Sequence, residues 1–124
     1  MNLTNALDDL YADDYTPNNV TAATAAIGEL VRYLNHATLT DNAATTLPYP
    51  SSIADVLIDL HQAVQRLPQT LHQLGVHLDA IADDTDAAVV ALNTAFFGAC
   101  ALADDLATAA RHANQIPARD PIAG

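Results

Sequence analysis

A chain of 124 residues, 51% of them apolar, carries enough hydrophobic material for one core, which excludes disorder as its resting state. Fourteen aspartates and one glutamate stand against four arginines and no lysine, giving a formal net charge of -11. Arg32, Arg66, Arg111 and Arg119 stand singly, so the basic stripe that direct binding of DNA or RNA requires is missing. Cys100 is the only cysteine, which excludes an intrachain disulfide and fits a reducing compartment. The first nine residues have neither the positive charge nor the apolar run of a signal peptide, and the expected location is cytoplasmic.

Leu3, Ala6, Leu7, Leu10 and Tyr11 recur at helical spacing, with Asp8, Asp9, Asp13 and Asp14 elsewhere on the turn, and predict a short amphipathic helix. Pro17 disfavours helix at the residue before it, and Thr16 is placed to cap a second helix that has Pro17 at its first position. Val20, Ala23, Ile27, Leu30, Val31 and Leu34 then fall on one face, predicting helix to about His36. Residues 38–50 mix Thr, Asp, Asn and proline without a sustained period and read as the longest loop.

Ser52 and Asp55 have the spacing of a capping box, with Asp in place of Glu, so a third helix is expected from Ile53. Leu57, Leu60, Val64, Leu67, Leu71, Leu74, Leu78 and Ile81 follow in alternating steps of three and four, the strongest pattern in the chain. Pro68 cannot donate to the Val64 carbonyl, yet the heptad phase continues across it, which favours a kink over a break. The Asp83–Asp86 cluster should supply the cap of a last helix running to about Gln115, with a stripe of Val89, Leu92, Phe96, Ala99, Ala103, Leu106, Ala110 and Ala113. Ala87–Ala103 is uncharged, but its alanine content and acidic flanks favour a packed helix over a membrane span.

These elements predict an all-α chain: an antiparallel bundle of three long helices plus a short N-terminal helix, built on a long C-terminal hairpin in which the Leu-rich stripe faces the Ala-rich one. Residues 1–116 would form one domain and residues 117–124 a flexible tail.

No catalytic, cofactor or metal site is expected. His61, His72 and His77 share a helix without the spacing of a zinc site, and no GxSxG, GxGxxG or phosphate-loop motif occurs. The Asp83–Asp86 cluster lacks the glycine and terminal glutamate of a calcium loop. The candidate partner-binding residues are His61, Gln65, Pro68 and His72, on a polar surface around the proline, with Val90 and Phe97 on the surplus apolar side of the last helix.

The runs Arg32-Tyr33-Leu34-Asn35-His36-Ala37-Thr38, Leu47-Pro48-Tyr49-Pro50 and Arg66-Leu67-Pro68-Gln69-Thr70-Leu71-His72-Gln73-Leu74 resemble small helical proteins of high-GC Gram-positive bacteria that have no assigned function. That resemblance, over about residues 30–80, implies a compartment and a fold class but no activity. The size also resembles the WXG100 hairpins, but there is no Trp for their turn motif. The expected function is therefore a non-catalytic protein-interaction or regulatory adaptor, bound to a partner protein or to itself as a homodimer. The alternative is an acidic mimic of nucleic acid that occupies the basic groove of a DNA-binding protein or nuclease.

Overall fold

The computed structural model describes residues 3–12 and 15–119. Five helices follow one another: α1 (Leu3–Ala12), α2 (Pro17–Ala37), α3 (Thr40–Thr46), α4 (Pro50–Ile81) and α5 (Asp86–Asn114), and no strand occurs among the described residues. The chain is all-α. Contacts divide it into two units, Met1–Thr46 and Leu47–Gly124.

In the first unit, α1 covers the predicted short helix, although Asp13 and Asp14 lie outside the described residues. Thr16 has the extended backbone of an N-cap, and its Oγ1 accepts from the Asn19 amide at 3.1 Å, with Pro17 beginning the helix. The expected loop at 38–50 contains a further helix, α3, which the absence of an apolar period hid. Seven residues, TDNAATT, make poor helix by propensity. Side chains tie them to the end of α2: Asn42 Nδ2 donates to the His36 carbonyl and Thr46 Oγ1 to the Ala37 carbonyl, both at 2.8 Å. Those carbonyls belong to the last turn of α2 and have no partner within its ladder.

In the second unit, α4 starts at Pro50 rather than Ile53. Tyr49 is its N-cap and makes no side-chain capping bond, so the capping box at Ser52 and Asp55 does not form. Proline's fixed φ and missing N–H suit a first helical position and move the start upstream. The helix is continuous through Pro68, whose ring is buried. Between α4 and α5, Asp84 takes a positive φ of 56°, and the Thr85 hydroxyl donates to the Asp79 carboxylate. Thr85, the N-cap of α5, therefore uses its side chain on α4 and makes no side-chain capping bond to α5.

Helices α4 and α5 pack against each other along their lengths. On α5, the predicted stripe from Val89 to Ala113 is buried or half-buried at every position. On α4 the packing phase differs from the expected one. The row in the seam is Ala54, Leu57, His61, Val64, Pro68, Leu71, Gly75 and Leu78, again in steps of three and four, with Val56 and Leu60 half-buried beside it. Half of the predicted stripe, namely Leu57, Val64, Leu71 and Leu78, faces the seam, while Leu67, Leu74 and Ile81 are 41%, 54% and 67% exposed.

The reason is the closeness of the helices. Alanines on α5 let the backbones approach, and a close seam needs small or compact residues between the larger ones on the facing helix. Ala54, Pro68 and Gly75 are buried there, and a Cβ at Gly75 would lie 3.6 Å from Leu92 Cδ1, in ordinary contact. A second meeting point lies at the other end, where His61 Nδ1 is 2.7 Å from the Ala103 carbonyl oxygen.

Candidate functional site

Moving the α4 seam by one row leaves a second apolar row outside it. Ile53, Leu60, Leu67, Leu74 and Ile81 follow at intervals of seven along one flank. Leu60 is half-buried and the other four are exposed. Intervals of seven keep residues on nearly the same side of a helix, drifting only about 20° per heptad, so the five make one ridge along α4.

The side of α5 that adjoins this ridge follows from the opposite flank. There, His72, Val76 and Asp79 of α4 and Asn93 of α5 line a depression together with Leu71, Gly75, Val89 and Leu92. The flank of α4 bearing His72 and Asp79 thus lies beside the flank of α5 bearing Asn93, and by helical rotation beside Cys100 and Ala107 a heptad and two heptads on. The Leu ridge must then adjoin the other flank of α5, which carries Ala88, Ala95, Leu102 and Ala109. All four are exposed, Leu102 at 50%.

The α4–α5 pair is two-sided as a result. One side shows Ile53, Leu60, Leu67, Leu74 and Ile81 next to Ala88, Ala95, Leu102 and Ala109, without a charge among them. The other shows the polar Gln65, His72 and Asp79 of α4, with Ile58 in the same row and Val76 beside it also exposed, next to exposed Asn93 and half-buried Cys100 and Ala107. The margins of the apolar side carry Thr70 and His77 on α4 and Asp105 and His112 on α5, among the small or apolar Val56, Ala63, Ala91 and Gly98.

The six candidate residues from the sequence fall elsewhere. His61 and Pro68 are in the seam: Pro68 is buried, and His61, half-buried, is bonded to Ala103 rather than turned outward. Gln65 and His72 are exposed on the polar flank. Val90 and Phe97 are exposed on the outer side of α5, where the Phe97 ring meets Phe96 edge-on, with centroids 5.3 Å apart. Sequence reasoning misses the ridge because hydrophobic periodicity assigns its leucines to the core. The detectable signal is excess: α4 has more large apolar rows than one narrow seam can cover.

Other features offer less chemistry. Among the described residues no group of three or more His, Cys, Asp or Glu could hold a metal ion. Helix α5 is long and apolar enough, by length and composition, to cross a membrane, and only 6% of its most apolar stretch is buried. That stretch carries no charge from Ala87 to Ala103, and Asp104 and Asp105 stand in the second half of the helix. In the first unit, Glu29 and Arg32 form an exposed ion pair at 3.7 Å beside Tyr33 and His36. No protein-family model, curated protein or solved structure matches this chain.

Proposed function

We propose that this protein is a non-catalytic protein-interaction or regulatory adaptor, centred on an antiparallel α4–α5 hairpin, that binds a partner protein through the apolar side of that pair. The observation that carries the reading is the charge-free ridge Leu60, Leu67 and Leu74, left outside the seam in a chain of net charge -11. Fully burying one such leucine is worth about 1.5–3 kcal/mol, so the strip as a whole offers a substantial drive to association. Its shape supports a protein partner: it is long, bordered in part by polar groups and formed on two rigid helices, whereas a small ligand calls for a concave pocket.

A reducing, cytoplasmic setting suits a surface with one free thiol, Cys100. One stripe of α5 packs on α4 while Val90, Phe97 and Leu102 stay exposed, and its internal Asp104 and Asp105 suit water better than a bilayer core. Binding through the ridge should persist or strengthen as salt is raised, whereas nucleic-acid mimicry by the carboxylates would weaken steeply.

The test is photo-crosslinking in the cells that make the protein, with a benzophenone amino acid at position 67 and, separately, at position 97. The expected result is protein adducts from position 67 that are far more abundant than from position 97. Equal or absent labelling from position 67 would overturn the reading.

A further inference from the structure

We propose that the occupant of the apolar side is a second copy of this chain, so that two α4–α5 pairs meet face to face in a four-helix arrangement. The proposal rests on the interaction reading above and names its partner. Three observations carry it.

The first is area. The shared length of α4 and α5, 29 residues of α5, is about 43 Å at 1.5 Å per residue. Two helices side by side are about 20 Å wide. One copy can therefore cover roughly 850 Å², close to the ~800 Å² per partner of a standard stable interface.

The second is relief. On this side, α4 bears long side chains at Leu60, Leu67 and Leu74, while α5 bears short ones at Ala88, Ala95 and Ala109, interrupted only by Leu102. A ridge therefore runs beside a trough on the same surface. A two-fold axis parallel to the helices lays the ridge of each copy over the trough of the other, which is the self-complementarity that an isologous interface demands. With His61 level with Ala103, Leu102 of one copy then falls between Leu60 and Leu67 of the other.

The third is charge. A surface of net charge -11 repels its own kind almost everywhere, and association of like with like needs a strip free of carboxylates. The ridge and trough positions contain none, and Asp105 and His112 stand at the margin. Another acidic protein would meet the same condition, and it is the matching relief that favours this chain.

Sedimentation velocity of the purified full chain between about 1 and 100 μM is the test, read at the physiological Debye length of about 8 Å. The expected species is a dimer. Leu67→Glu, a large exposed side chain outside the seam, shifts it to monomer with helicity retained by circular dichroism. Ala95→Glu, in the trough, does the same without touching a large side chain, which covers the case in which Leu67→Glu unfolds. Phe97→Glu, on the outer side of α5, leaves the dimer intact. A wild-type monomer throughout the range overturns the proposal, as does a dimer broken by Phe97→Glu and indifferent to both other changes. In the purified protein, the benzophenone at position 67 should give adducts of dimer mass; internal adducts of monomer mass mean that the chain covers its own ridge, and they overturn it too. A monomer whose position 67 nevertheless captures other proteins in cells defeats the second-copy proposal alone, while no capture in either setting defeats the interaction reading with it.

Discussion

The imidazole Nδ1 of His61 lies 2.7 Å from the carbonyl oxygen of Ala103, joining the first half of α4 to the second half of α5 across 42 residues of sequence. Only the tautomer or ion with hydrogen on Nδ1 can make this bond, because the carbonyl can only accept. Since the ring is half-buried, His61→Ala removes both the bond and part of the packing. The expected loss is about 1–3 kcal/mol, read from the urea midpoint at unchanged slope. A change below about 0.5 kcal/mol would show that water replaces the histidine at no cost.

Gly75 invites a substitution in the opposite direction. It is buried, yet the nearest atom to an added Cβ would be Leu92 Cδ1 at 3.6 Å, an ordinary van der Waals distance. Gly75→Ala therefore gains helix propensity of about 0.5–1 kcal/mol without a clash, and thermal unfolding should move upward by several degrees. Gly75→Leu must push the helices apart and should lower it. If alanine destabilises as leucine does, the helices sit closer than this geometry allows.

Pro68 stands in the interior of an unbroken helix, where proline costs about 3 kcal/mol relative to alanine. Its ring is also buried in the seam, and shortening it to a methyl group gives back one or two methylenes at about 0.8 kcal/mol each. Pro68→Ala should accordingly stabilise the chain by about 1–2 kcal/mol in equilibrium denaturation. Destabilisation would mean that the seam requires the proline's shape.

Asp84 has φ 56° in the link between α4 and α5. Aspartate tolerates this left-handed region because its short side chain can bond locally, whereas a β-branched residue there is strained. Asp84→Val is expected to cost about 1–2 kcal/mol, and Asp84→Gly to be close to neutral. Matching losses in the two variants would point to the lost carboxylate rather than to the backbone.

The elements whose signals are local were legible in the sequence. Thr16 and Pro17 announce the start of α2 through a capping oxygen and a preset φ, and the seam of α5 stood out because its stripe of Val89, Leu92, Phe96 and Leu106 is spaced regularly among small residues. The phase of α4 was harder. Leu57, Leu60, Val64 and Leu67 form a regular leucine count that any helical wheel favours, but the close approach of α5 selects Ala54, Pro68 and Gly75, whose value lies in being compact. Counting hydrophobicity finds the apolar half of such a helix without saying which row meets its neighbour. The outward ridge is the direct product of that ambiguity. Helix α3 was illegible for a different reason: side-chain bonds from Asn42 and Thr46 to the end of α2 hold it, and they have no hydrophobic period.

The two rows of α4 also separate two kinds of selection. A change at Gly75 or His61 alters the stability of the pair of helices, whereas a change at Leu67 or Leu74 leaves the pair standing and alters only the surface it presents. Relatives that diverge in allegiance should therefore diverge every seventh residue from Ile53 to Ile81 while keeping the neighbouring compact row, so that a new binding preference can arise without first weakening the scaffold that displays it.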